Sequence, residues 1–125
     1  MRRFLVDTQA LLWWLIDDPS LSGEARASIG AAGSEALVST ASVWEIAIKR
    51  SIGKLTAPDD LPEAIAAEGF AWLAINAEHA WAVGGLPLHH ADPFDRLLIA
   101  QARVENLPIV TADRRFDAYD VDVHW

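Results

Sequence analysis

Acidic residues stand at unusual places in this sequence. The segment "HHADPFDRLLIAQA", residues 89–102, sets Asp92 and Asp95 three apart, directly before an almost unbroken apolar run. Asp7 ends the apolar stretch "FLVD", Asp113 ends "PIVTAD", and Glu45 lies inside "ASVWEIAIK". Each has an ordinary structural use. Asp7 and Asp92 suit the N-cap of a following helix. Glu45 fits a capping box with Ser42, or an i,i+4 pair with Lys49. Asp113 suits a turn. Asp95 is harder to place structurally, because Leu98, Ile99 and Ala102, at helical spacing from it, form a core-facing stripe. A carboxylate at the head of that stripe points to the interior edge, where burial without a partner is costly.

Taken together, these acids suggest one site. Four carboxylates that converge repel one another and must share cations, and hard oxygen ligands select Mg²⁺ or Mn²⁺. Such ions serve phosphoryl chemistry. With no cysteine in the chain, thiolate metal sites, disulfide scaffolds and cysteine nucleophiles are excluded. Two histidines, His89 and His90, precede Asp92 and read as loop or helix-start residues rather than ligands.

The elements that must position these acids alternate. Residues 4–7, 36–39, 70–75, 107–113 and 121–125 read as short aliphatic strands. Helical patterns fill residues 8–16, 22–33, 40–53, 59–69, 76–85 and 92–106, the last opened by Asp92 with Pro93 behind it. Strands that are apolar throughout, with helices between them, predict one α/β domain over residues 1–125: three layers, α/β/α, around a mostly parallel sheet of about five strands. Sites in such sheets form at the carboxyl ends of strands, beside the reversal of strand order. Asp7, Thr111 and Asp113 all fall at strand ends.

Composition fits a folded domain, with 52% hydrophobic residues. The formal net charge of −8 argues against a protein that grips nucleic acid by a basic surface alone. Bound divalent ions would answer that objection. Residues 1–62 carry 6 basic and 8 acidic side chains, the remainder 4 and 10. Lys49, Arg50, Lys54, Arg114 and Arg115 are candidates for a cationic rim around a phosphate-handling site. The run "ALLWWLI" is far shorter than the ~20 residues of a membrane span, and "MRRFLVD" lacks a signal-peptide core. The expectation is a soluble cytoplasmic protein. Of the six tryptophans, Trp44, Trp72 and Trp81 are expected in the core. Trp13 and Trp14 diverge by ~100° on one helix, so one of them is expected to meet a partner.

The ordered set "FLVDTQALLWWL", "VSTASVWEIAIKRSIGKL", "LPLHHADPFDRLLIAQA" and "LPIVTAD" resembles the PIN-domain family, and more narrowly the VapC-type ribonuclease toxins of bacterial toxin–antitoxin pairs. The resemblance covers essentially the whole chain. It implies Mg²⁺-dependent endonucleolytic cleavage of RNA, with Mn²⁺ able to substitute. By position it assigns Asp7, Glu45, Asp95 and Asp113 as catalytic, metal-binding acids, with Asp7 and Asp95 the foremost direct ligands. Thr111 becomes the hydroxyl beside the site, and Asp92 belongs to a "DPFD" variant. Gln9 departs from the histidine that many relatives carry after "DT". The implied partners are RNA, an antitoxin protein and a second copy of the chain, with Trp13 and Trp14 as candidate contacts. Receiver domains and haloacid-dehalogenase-type phosphatases share the fold class but need acid pairs and a late lysine that are missing here. The remaining alternative is a PIN module that binds a protein or RNA without cutting.

Overall fold

The computed structural model describes residues 2–125. The chain runs β1 (Arg3–Val6), α1 (Thr8–Leu15), α2 (Gly23–Gly30), β2 (Glu35–Ser39), α3 (Thr40–Ser51), α4 (Leu61–Ala67), β3 (Ala71–Leu73), α5 (Ala77–Ala82), α6 (Pro93–Val104), β4 (Ile109–Val110) and β5 (Val123–His124). The five strands pair in the order β3-β2-β1-β4-β5, and every pairing is parallel. The expected α/β sheet is therefore present, with strands β3, β4 and β5 shorter than their sequence patterns suggested.

Period-2 alternation along the strands divides the core in two. Phe4, Val6, Ala36, Val38 and Val110 face one layer, where Ala10 and Leu11 of α1, Ala25 of α2 and Ile65 of α4 cover them. Leu5, Leu37 and Ile109 face the other layer, under Leu98, Ile99 and Ala102 of α6. Both faces of β1 are covered, which explains why its residues are apolar without alternation. The chain moves from β1 outward to β2 and β3, then returns to place β4 on β1's other side. The reversal lies between β1 and β4, so the carboxyl ends of these two strands border a crevice.

Several local expectations are corrected. The N-cap of α3 is Ser39, whose side chain accepts from the Ala41 amide at 3.0 Å. The helix begins directly at the end of β2, so Ser42 lies inside it, takes the Thr8 hydroxyl hydrogen bond at 2.8 Å and forms no capping box with Glu45. Trp44, Trp72 and Trp81 are not core residues: they are 55%, 39% and 88% exposed. Trp72 points outward from an edge strand, and Trp44 packs edge-on against Phe94 at 4.9 Å instead of entering the interior. Trp13 and Trp14 are both half-buried against the same core layer. Their divergence is accommodated because Trp13 leans on Trp125, centroids 5.8 Å apart, while Trp14 meets Phe70 edge-on at 6.4 Å.

Candidate functional site

Asp7 leaves the end of β1 and caps α1. Its Oδ1 accepts from the Ala10 amide at 2.8 Å, and its Oδ2 accepts the Thr111 hydroxyl hydrogen bond. Asp7 therefore caps the helix with one oxygen and turns the other to Thr111. Thr111 is held in turn by the neighbouring strand β5 and by its own turn: its amide donates to the His124 carbonyl, and its Oγ1 accepts from the Asp113 amide at 3.0 Å. The two strands flanking the reversal thus join Asp7, Thr111 and Asp113 in one unit.

Glu45 comes from the second turn of α3 and is 5% exposed. One carboxylate oxygen, Oε2, accepts from Lys49 Nζ at 2.7 Å, so the i,i+4 pair exists. The other, Oε1, is buried and has no hydrogen-bond partner among the described residues. On α6, Asp92 is the N-cap, accepting from the Phe94 and Asp95 amides at 2.8 and 3.0 Å. Asp95 follows in the first turn, near His90. Asp113 accepts from Arg115 through both oxygens and from His90 Nε2 at 3.0 Å.

All of these acids line one cleft of about 890 Å³. Lys49, Lys54 and Arg115 lie on it, and Leu12, Trp13, Ile16 and Leu55 form an apolar wall. Arg50 and Arg114 do not line it. Arg50 pairs with Asp59, and Arg114 with Asp117 at 3.1 Å. Trp13 lines the cleft, whereas Trp14 turns toward the core.

The electrostatics follow from this crowding. Burial pushes the Asp7 carboxyl up to about 6, helped by Asp113 and Glu45 and opposed by the Thr111 and Ala10 hydrogen bonds. Asp95 rises to about 7, through burial first and then the charges of Asp92, Glu45, Asp7 and Asp113. Burial also raises Asp113, but hydrogen bonds from Arg115 and His90 outweigh it and hold that carboxyl at about 2. Lys49 is pushed up chiefly by its hydrogen bond to Glu45.

Neighbouring carboxylates with one buried oxygen unpartnered form an unfavourable arrangement unless a cation relieves it. The donors are hard oxygens, the set that suits Mg²⁺ or Mn²⁺. The residues therefore fit a divalent ion. Two participants were poorly legible in the sequence. His90 is buried against Asp95 and Asp113, although its place in a loop agrees with expectation. Arg96 is buried beside Asp95 and donates to four backbone carbonyls and to Tyr119. Its only sequence signal is a lone cation inside the apolar pattern "FDRLLIA".

This sheet order and acid-lined switch point define a class. Residues 4–122 match the PIN domain, and the chain belongs to that family. Among solved structures it is similar to the DNA-bound VapBC structure from Salmonella typhimurium: 18% identity, TM-score 0.71, covering 99% of this chain and 98% of that one. FitAcB from Neisseria gonorrhoeae matches at 19% identity and TM-score 0.71, over 98% and 96% of the two chains. VapBC2 from Rickettsia felis, bound to a promoter DNA fragment, matches at 13% and 0.69, over 98% and 97%. At these identities the likeness is one of fold. No curated protein sequence matches the chain.

Proposed function

We propose that this protein is a divalent-metal-dependent endoribonuclease, the toxin half of a toxin–antitoxin pair, acting in the cytoplasm. The observation that carries the reading is the convergence of Asp7, Glu45, Asp95 and Asp113 on one cleft, with Glu45 Oε1 buried and unpartnered. Asp7 and Asp95 are the foremost ligands, and Glu45 and Asp113 complete the set. A bound Mg²⁺ or Mn²⁺ supplies charge neutralisation at a scissile phosphate and a lowered pKa for an attacking water.

The chain's own residues orient this set. The Thr111 hydroxyl fixes the Asp7 carboxylate through Oδ2, and the Ala10 amide fixes it through Oδ1. Asp92 caps α6 and so aims Asp95 at the cleft. Lys49, Lys54 and Arg115 offer cations to the flanking phosphates of an RNA strand. The structural neighbours are toxin–antitoxin complexes, which supports a cognate antitoxin as partner. A segment of that antitoxin laid on α1 would meet Trp13 at the cleft wall rather than the inward-turned Trp14. A second copy of the chain is part of the same reading. The exposed apolar stripe Trp44, Ile48 and Ile52, repeating every four residues on α3 and its C-cap, offers a surface for it.

The test is cleavage of a labelled RNA by chelated protein, before and after Mg²⁺ or Mn²⁺ is restored. Cleavage should return with metal in the wild type and not in Asp7→Asn. Stoichiometric RNA or partner binding with no metal-restored cleavage would favour a non-catalytic PIN module.

A further inference from the structure

Asp95 and Asp113 come from different elements, the first turn of α6 and the turn after β4. The imidazole of His90 joins them. Its Nε2 lies 3.0 Å from Asp113 Oδ2 and 3.1 Å from Asp95 Oδ2. The other ring nitrogen, Nδ1, is 3.1 Å from the Asp92 backbone nitrogen. An amide N–H only donates, so Nδ1 accepts, and the neutral ring carries its hydrogen on Nε2. A protonated Nε2 has no lone pair for a cation. The closeness of His90, Asp95 and Asp113, whose atoms lie within 4.8 Å of one another, is therefore that of a donor and its Asp113 acceptor with the Asp95 carboxylate beside them, not of three ligands.

The ring is held from every side. It is 2% exposed and stands edge-on to Phe116, with centroids 5.7 Å apart at 83°. The His90 amide donates to the Tyr119 hydroxyl oxygen at 2.8 Å, and that hydroxyl donates to the Pro87 carbonyl at 2.7 Å. Arg96 Nη1 reaches the carbonyls of Pro87 and His90, so the buried cation braces the loop that presents the ring. This support fixes one N–H on the Asp113 carboxylate, with Asp95 in close contact.

We propose that His90 is a positioning residue of the metal site: its Nε2–H orients the Asp113 carboxylate, and the buried ring holds Asp95 in close contact beside it. This rests on the reading of those acids as metal ligands. Hydrogen bonds to ligating groups set their orientation, and losing one typically costs ~10–100-fold in metal affinity.

The experiment measures Mn²⁺ affinity by electron paramagnetic resonance of free Mn²⁺, on wild type, His90→Leu, His90→Gln and Asp7→Asn. His90→Leu should weaken binding ~10–100-fold. His90→Gln, whose side-chain amide can place an N–H near the Nε2 position, should stay close to wild type. A purely structural role would lower the stability of both variants without separating their metal affinities. Wild-type affinity in folded His90→Leu, alongside weakened binding in Asp7→Asn, overturns the His90 role and leaves the metal reading standing. A wild type that binds no Mn²⁺ overturns both. Should His90→Leu fail to fold, long-range ¹H–¹⁵N NMR on the wild type decides the matter. An Nε2–H ring, unchanged on adding Mg²⁺, is the expected result. A proton on Nδ1, or loss of the Nε2 proton with Mg²⁺, refutes the proposal.

Discussion

Two buried charged regions lie side by side in this protein, and they are built on opposite principles. Around Arg96, the guanidinium donates to the carbonyls of Val83, Leu86, Pro87 and His90 and to the Tyr119 hydroxyl, at 2.9–3.4 Å. That cation is held through both of its terminal nitrogens. In the cleft, Asp7 and Asp95 are held as poorly ionising acids, and Glu45 keeps a buried oxygen with no donor. A buried charge met by several acceptors is what a fold needs for its own order. A cluster left unsatisfied costs stability, and such sites persist where function requires them. The two regions touch through the loop carrying His90, so the satisfied one shapes the unsatisfied one.

Removing a charge should therefore act oppositely in the two places. Asp95→Asn should lower RNA cleavage by about 10³-fold, roughly 4 kcal/mol of transition-state stabilisation. The same change should leave the metal-free protein as stable as wild type or more so, because it relieves repulsion. Asp7→Asn should behave alike in activity, and asparagine keeps the N-cap. Cleavage rates with and without metal, beside urea melts, check both halves. Asp95→Asn at wild-type rate would remove that residue from the ligand set. At Arg96 the sign reverses: Arg96→Met should cost about 3 kcal/mol in urea unfolding, since several buried carbonyls lose their donor together. A neutral result there would mean that water replaces the guanidinium, and the contrast would fail.

The pH dependence sharpens the comparison. The folded-state pKa values of Asp7 and Asp95, about 6 and about 7, lie above the ordinary 3.8. Between pH 4 and 7 the folded, metal-free protein thus binds more protons than the unfolded chain, and its stability should fall as pH rises through that window. Asp113, at about 2, has the opposite sign: its contribution is present above 3.8 and lost as pH falls toward 2. Melts across pH 4–7 should show a decline of about 1–3 kcal/mol in the wild type and a smaller one in Asp95→Asn. Excess Mg²⁺ should flatten or reverse the slope, because ligand carboxylates must be deprotonated. A slope unchanged in Asp95→Asn would locate the coupling elsewhere.

Much of this was legible from the sequence, and the reasons differ by residue. Asp7 and Asp113 follow strand patterns, and a parallel sheet places strand ends at its crevice, so their meeting follows from topology. Asp95 was legible from helical phase. Glu45's inward direction was legible only in combination, since Ser42 and Lys49 offered competing local uses. The tryptophans were misread because residue type predicts average burial, not which face of a helix or edge strand a side chain occupies. Trp72 sits on the outermost strand, and no local pattern announces which strand that is. Arg96 and His90 were obscured for a related reason: their partners are backbone carbonyls and carboxylates remote in sequence, which only the closed fold assembles.

The smallest expected effects concern the rim. Five cations were candidates from sequence, and the fold separates them. Lys49, Lys54 and Arg115 line the cleft, while Arg50 and Arg114 pair with Asp59 and Asp117 away from it. Lys49 and Arg115 are also tied to Glu45 and Asp113, so changing either would disturb the acids as well. Lys54 is the cleaner probe. A phosphate contact made by Lys54 should contribute about 0.7 to the slope of log affinity against log salt for a single strand. Lys54→Ala should therefore weaken RNA binding a few-fold at low salt and flatten that slope by about this amount, with no change in sequence preference. Arg50→Ala and Arg114→Ala should leave the slope as it is, because exposed ion pairs contribute little and neither residue faces the cleft. Binding is best measured on Asp7→Asn, which on the proposed function should hold RNA without cutting it. Equal slopes for Lys54→Ala and Arg50→Ala would show that RNA runs over a wider face than the cleft.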